Sequence, residues 1–523
     1  MMPQGAADSH ARRDTFLCVP PPSDVVFRDA LVLDGSGAAG RRVDVGVAGD
    51  RICAVTAPGG LAQQAASRVI DAQGLALAPG FIDVHTHDDF AVLLHPEMTF
   101  KTLGGVTTCV VGNCGMGAAP FGPAAAMARL FHPEGLPGAW EGYAGYRARL
   151  EAEPASVNVG FLVGHGSLRA ATMGGEKRAP QPDELEAMRA LLIEGLEAGA
   201  LGYSSGLIYE PGRHAATDEL VALARELRPF GGLYATHMRD ESTRLLDSVR
   251  EAIEIGERAG AAVQISHHKA SGRGAWGLVR ESIRLIDEAR ARGVDVTADQ
   301  YPYTAGSTVL SAVLSSGAIS GSEGGGLGRM TGDDVVVASS PARPEREGRS
   351  IAAIARDLGV SDLEAAQRVA GDDPATTIVA HMMCEDDVQT VMRHGVTMIG
   401  SDGIPTLGRR PHPRLWGTFA RVLGRYVREL GVLSLEEAVH RMTGLSAAKF
   451  GLDGRGAIRE GAFADLVVFD PATVGERGSF ENPEVAPAGI AHVLVGGRFV
   501  VRDGAHTGER PGRVLARAGA ATR

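Results

Sequence analysis

His85 and His87 flank Thr86 at the end of the apolar run Ala78-Pro79-Gly80-Phe81-Ile82-Asp83-Val84. Residues i and i+2 of a strand share a face, so both imidazoles project from one strand end, which suits a single metal ion. Taken alone, the pair could equally be two surface histidines. Ligand-type residues recur, however, where other apolar runs end: Cys114 in Gly112-Asn113-Cys114-Gly115, then His165, His237, His267 in His267-His268-Lys269, and Asp402 in Ser401-Asp402-Gly403. Neutral imidazole and thiolate suit a borderline ion such as Zn²⁺. Cys114 reads as a thiolate ligand or as a small buried apolar residue. Asp402 reads as a carboxylate that takes a proton from an activated water and returns it to a leaving group, or as a turn former. His165 hydrogen-bonds substrate or orients a neighbour. His268 follows His267 on the same strand, must point away from it, and reads as packing. His381, His394 and His412 fall outside these strand ends and receive no role.

These residues have to be carried by regular elements. Eight strand-like segments are legible: Leu77–His87, Thr107–Asn113, Val157–His165, Gly199–Gly206, Leu233–Met238, Ala262–His268, Asp295–Tyr303 and Thr397–Asp402. Between them lie segments of 3.6-residue periodicity, among them Asp183–Ala198, Asp218–Leu227, Thr243–Ala259 and Val279–Arg292. Thr217 stands where a helix cap is expected. Serial β/α units imply an α/β fold, a (β/α)8 TIM-type barrel whose chemistry sits at the C-terminal ends of the strands; a doubly wound open sheet is the fallback. Short β-like runs at both ends of the chain, within 25–76 and 455–505, are expected to pair as a small β-sandwich domain, leaving the barrel to 77–454 and a tail at 506–523. About 304–376 has no simple βα unit and is rich in Gly, Ser, Pro and charge. It reads as an insertion subdomain after strand seven, either a lid or a surface loop.

Composition narrows the function classes. The chain has 523 residues, 44% apolar, enough for a large barrel and a smaller domain. Its formal net charge of −11 disfavours nucleic acid and anionic membrane surfaces as partners. No apolar run reaches the length of a membrane span, and residues 1–24 lack the apolar stretch of a secretory signal and read as a disordered extension. The five cysteines, Cys18, Cys53, Cys109, Cys114 and Cys384, are odd in number and irregular in spacing, which argues for free thiols and a reducing cytoplasm.

The motif set resembles the amidohydrolase superfamily in Gly80-Phe81-Ile82-Asp83-Val84-His85-Thr86-His87 and Gly400-Ser401-Asp402. It resembles the N-acyl-D-amino-acid deacylase (D-aminoacylase) branch in Gly112-Asn113-Cys114-Gly115, Gly164-His165-Gly166-Ser167-Leu168-Arg169, Tyr203-Ser204-Ser205-Gly206-Leu207, Thr236-His237-Met238-Arg239, Gln264-Ile265-Ser266-His267-His268-Lys269, Ala298-Asp299-Gln300-Tyr301-Pro302-Tyr303 and His412-Pro413-Arg414-Leu415-Trp416-Gly417. The resemblance implies hydrolysis of an N-acyl-D-amino acid to a D-amino acid and a carboxylate. It implies tight zinc binding by Cys114, His237 and His267, and a weaker second position at His85, His87 and Asp402. It implies that Asp402 is the general base and acid, that Lys269, Tyr301, Ser307 and Arg414 hold the substrate carboxylate, and that the insertion covers the pocket. His165 is the candidate donor to the oxyanion. Two rivals stand beside this reading: a cyclic amidase acting on hydantoin or dihydropyrimidine rings, disfavoured by Cys114, and a metal-free scaffold, disfavoured because every expected ligand position is filled. Side-chain preference, acyl preference and oligomeric state are not legible.

Overall fold

The computed structural model describes residues 23–517 apart from 65, 133–134 and 320–324. Residues 1–22 of the expected N-terminal extension lie outside these, while Ser23 and Asp24 already belong to the strand Ser23–Val32. Eight parallel strands form the barrel sheet: β1 (Phe81–Asp83), β2 (Val106–Val111), β3 (Asn158–Gly164), β4 (Gly202–Gly206), β5 (Leu233–His237), β6 (Ala262–Ile265), β7 (Val296–Gln300) and β8 (Thr397–Ile399). Each pairs with its sequence neighbour, and β7 pairs with β8 across the long insertion. The strands are buried on both faces, as in a sheet wrapped by helices. The open-sheet fallback is therefore set aside.

β8 and β1 meet through loop backbone rather than a full ladder. Asp402 N–H donates to His85 O at 2.6 Å and His87 N–H to Gly403 O at 3.0 Å. Beneath this seam the fully buried Lys101 ammonium donates to Asp83 Oδ2 (2.7 Å), Ser401 Oγ (2.8 Å) and Thr86 Oγ1 (2.9 Å). Asp83 Oδ1 in turn accepts from Ser401 N at 2.8 Å. One cation thus ties the first strand to the last, directly below His85 and Asp402.

Several expected strands are shorter in the structure. Leu77–His87 is divided at Gly80: Ala76–Pro79 joins the terminal sheet and Phe81–Asp83 enters the barrel. His165 opens the helix His165–Met173 instead of ending a strand. His267, Asp402 and Tyr301 all lie in loops just past their strands. The ends shorten because these residues turn away from the ladder to face the barrel axis. The expected cap moves as well: Ala216 is the N-cap of the helix Thr217–Ala224, and Thr217 Oγ1 donates instead to Glu251 Oε1 at 2.8 Å.

Segments from both ends of the chain share a nine-stranded sheet, joined where Leu466–Phe469 pairs antiparallel with Ala76–Pro79. Its own apolar core includes Phe27, Val45, Leu466 and Val468. Beyond His506 the chain continues against the barrel, where Leu515 N–H donates to Val159 O at 2.8 Å. After β7 the insertion builds a three-stranded antiparallel sheet from Ala305–Val309, Val335–Ser339 and Thr377–His381. It therefore runs about five residues further than the composition implied, because its last strand is as apolar as a barrel strand. Val337, Ile354, Val369 and Ile378 form its core, which is continuous with Tyr301 at the barrel mouth.

Candidate functional site

The strand ends bring six side chains together. Cys114 Sγ lies 3.3 Å from His85 Nε2, 3.6 Å from His267 Nε2 and 3.8 Å from His237 Nδ1. His87 Nε2 is 3.1 Å and His85 Nε2 3.5 Å from Asp402 Oδ1. Donor atoms of His85, Cys114, His267 and Asp402 lie within 4.8 Å of one another, as do those of His237, Glu241 and His267. All are buried. Cys114 is central: its sulfur faces the His237–His267 pair and the His85–Asp402 pair alike.

Local backbone strain aims these groups. Cys114, His267 and Asp402 have φ of +54°, +35° and +51°, in the left-handed region that side chains other than glycine seldom adopt. Such strain persists only where surrounding contacts hold it, and it clusters at functional sites. Around Cys114 the glycines are required. A Cβ on Gly112 would fall 2.2 Å from Leu162 O, and one on Gly115 would fall 2.8 Å from Gly206 N.

Carboxylates that the sequence reading passed over orient the ring nitrogens. Asp299 Oδ1 lies 3.2 Å from His85 Nδ1 and accepts the His267 backbone N–H at 2.8 Å. Glu241 Oε1 lies 2.9 Å from His267 Nδ1 and accepts from Lys269 Nζ at 2.7 Å. A carboxylate behind a ligating imidazole sets its tautomer and raises its basicity. Asp299 stands inside a quoted motif and Glu241 four residues after His237, so spacing alone could have flagged both.

A second group of residues lines a cavity on the His237, His267 and Asp402 side of the cluster. Tyr301, Ser307, Lys269 and Arg414 are all among its walls. Arg414 is buried; its Nη1 sits 2.9 Å from Asp402 Oδ2 and its Nη2 donates to Ser307 O at 3.2 Å. Its Nε makes no hydrogen bond, and its Nη1 meets Asp402 only as an ion pair, outside hydrogen-bond geometry. A buried guanidinium with an unused Nε–H and a loosely paired Nη1 forms a ready receptor for a carboxylate. The Tyr301 ring lies 4.5 Å from the guanidinium carbon. His412 fixes this arrangement, accepting Arg414 N–H on Nδ1 at 3.0 Å and donating from Nε2 to Ala305 O at 2.9 Å.

A model of the amidohydrolase family matches residues 68–501. A D-aminoacylase of Alcaligenes xylosoxydans xylosoxydans is 45% identical over 95% of this chain and 99% of its own length. The N-acyl-D-glutamate deacylase of the same organism is 42% identical over 94% and 96%. The chain belongs to the amidohydrolase family. Among solved structures, the N-acyl-D-glutamate deacylase of Bordetella bronchiseptica, complexed with zinc and a phosphonate inhibitor, superposes with a TM-score of 0.86 at 41% identity, over 95% of this chain and all of that one.

In this amidohydrolase the electrostatics favour an ionised sulfur. Burial opposes charge on Cys114, but the imidazoles of His85, His237 and His267 outweigh it and hold the thiol well below its ordinary value. Burial likewise opposes charge on His85 and His87. The Cys114 and Asp299 charges nevertheless push His85 well above the ordinary imidazole range, and Asp402 with Cys114 brings His87 to about 9. Asp402 is held well below the ordinary carboxylate range, burial being overcome by Arg414 and the surrounding imidazoles.

His165 is not brought to this centre. Its Nε2 pairs with Glu219 Oε1 at 2.8 Å, Glu219 is also clamped by Arg169, and burial lowers the imidazole's pKa. It lines neither cavity described here, so no substrate contact is assigned to it. His268 points outward, with Nε2 2.8 Å from Ser282 Oγ. Lys269 does face the cavity lined by Arg414, but its ammonium already donates to Glu241 and to His267 O.

Proposed function

We propose that this chain is a zinc-dependent hydrolase that cleaves N-acyl-D-amino acids to a D-amino acid and a carboxylate. One observation carries the reading: a buried thiol among three imidazoles and a carboxylate, 2.9 Å from an arginine with unused donors. Thiolate and imidazole suit zinc, so the donor chemistry fits. Cys114, His237 and His267 hold the tight zinc, and His85, His87 and Asp402 form a weaker second position. When bound, zinc lowers the pKa of water toward ~7 and polarises a carbonyl.

The protein's own groups do the rest. Arg414 takes the substrate's α-carboxylate through its free N–H groups, with Tyr301 and Ser307 beside it, and so places the scissile amide against Asp402. Asp402, ionised and already oriented by Arg414 and His87, removes the proton of the attacking water at its carboxylate oxygen. It then delivers that proton to the departing nitrogen. Lys269 acts mainly through Glu241, holding His267 in register. The amino-acid half of the pocket is walled by Val313, Leu327, Met330 and Met382. Among the described residues lining it, the cations are Lys269, held by Glu241, and Arg414, committed to the α-carboxylate, so apolar D-side chains are favoured over acidic ones. A reducing, cytoplasmic setting suits the four free cysteines among the described residues. Among those residues no helix is long and apolar enough to cross a membrane.

The test is a substrate panel: N-acetyl-D-methionine, N-acetyl-D-glutamate, their L-forms and a hydantoin. Hydrolysis of the D-methionine derivative with discrimination against its L-form is expected. Turnover of the ring compound alone would establish the cyclic amidase instead.

A further inference from the structure

A second, larger cavity opens on the His87 and Cys114 side of the cluster. His87 and Cys114 stand at its inner end. Tyr209 lines both cavities, its ring edge-on to His237 at 4.9 Å and its hydroxyl 3.2 Å from Thr308 Oγ1. The cluster therefore borders two chambers that share Tyr209 as a wall.

The outer chamber is built by the helix Phe121–Ala128 and the turn after it. Ala124, Met127, Ala128 and Phe131 follow one another at i, i+3, i+4 and i+7, so they fall on one face. All four line the chamber, with Phe90 and Pro123 completing the wall. Alanine at two of the four positions keeps the space open, while Met127 supplies an adaptable surface. The polar members are His132, next to Phe131 in the turn, Ser167, His87 and Asp89 at the inner end, and Glu210 in an ion pair with His214. The helical wall itself presents no charge.

The two chambers differ in what they can hold. In a linear N-acyl amino acid the α-carboxylate belongs to the amine half, and its receptor, Arg414 with Tyr301, lies in the first cavity. With the scissile carbonyl at the cluster, the acyl substituent must leave on the other side, toward His87 and Cys114. An acetyl methyl would reach little of this wall and leave the rest facing water, which apolar surface resists, whereas an unbranched alkyl chain would run along it. We infer that the outer chamber is an acyl-chain subsite and that the preferred substrates carry a medium-length, unbranched, apolar N-acyl group on the D-amino acid. This inference rests on the deacylase reading above and adds the identity of the acyl half.

The experiment is a chain-length series on one amino acid: N-acetyl-, N-butyryl-, N-hexanoyl- and N-octanoyl-D-methionine, with kcat/KM measured for the zinc-loaded full chain. Burial of each methylene is worth about a fourfold gain, so kcat/KM should climb from acetyl to hexanoyl by roughly two orders of magnitude at most. Met127→Trp, which narrows the chamber, should lower the hexanoyl-to-acetyl ratio at least tenfold. Because that ratio is taken within one preparation, partial loss of folded protein cancels. A profile flat or falling beyond acetyl in the unmodified protein overturns the acyl subsite and leaves the deacylase reading standing. So does a ratio that Met127→Trp does not move. Failure to hydrolyse any member of the series overturns both.

Discussion

Asp402 is hydrogen-bonded or ion-paired to three different partners, and each bears on its proposed role. His87 and His85 face one carboxylate oxygen and Arg414 the other. Its ionised form is therefore strongly favoured, and as pH falls it stays a base below the point where a free aspartate is half protonated. Replacement by asparagine keeps the shape and removes the proton acceptor. Asp402→Asn should retain the zinc bound by Cys114, His237 and His267 while losing at least ~10²-fold in turnover, the usual worth of general acid–base catalysis. Metal content by elemental analysis and kcat on the same sample check this. A variant with more than about a tenth of the parent rate would assign the proton transfer to another group.

At the scale of elements, the seam between β1 and β8 carries the proposed second metal position, since His85, His87 and Asp402 all hang from it. Lys101 is 1% exposed and hydrogen-bonds both strands' ends. Burial opposes its charge, but Asp83 and Asp88 outweigh that and raise its pKa above the ordinary lysine value. Removing one partner of such a pair leaves an uncompensated buried charge, typically costing about 3–5 kcal/mol. Lys101→Met should destabilise the protein by that amount in denaturant unfolding and weaken metal binding, with no residue of the centre itself altered. If unfolding and metal affinity both match the parent, the seam is held by backbone bonds alone. Lys101 lies in the short helix Thr99–Thr102 just ahead of a glycine pair, and nothing in its neighbours marks it. Its role depends on Asp83 and Ser401, which are brought together only by barrel closure.

For the whole molecule, the proposed metal positions join residues at the ends of β1, β2, β5, β6 and β8 whose positions span some three hundred residues of chain. An ion that binds only this assembled arrangement stabilises the fold by mass action, about 4 kcal/mol when free zinc stands ~1,000-fold above its Kd. The metal-free protein, prepared with a chelator, should melt at a lower temperature, and stoichiometric zinc should restore both melting temperature and activity. Equal melting curves with and without zinc would show that the barrel positions these side chains unaided.

The amino-acid pattern by itself determined the barrel, the metal-type residues at its strand ends and the likeness to a deacylase, because alternation, glycine turns and ligand chemistry are local properties of the chain. It could not place His165, whose partner Glu219 lies on the next βα unit, nor could it single out Lys101, whose role is a set of contacts between distant segments. It showed an insertion but ended it before its last strand, since a strand of a separate small sheet has the same apolar signature as one of the barrel. Which groups face one another across Cys114, and that the centre opens onto an apolar chamber on one side and a carboxylate receptor on the other, were decided only when closure of the sheet brought eight strand ends around one axis.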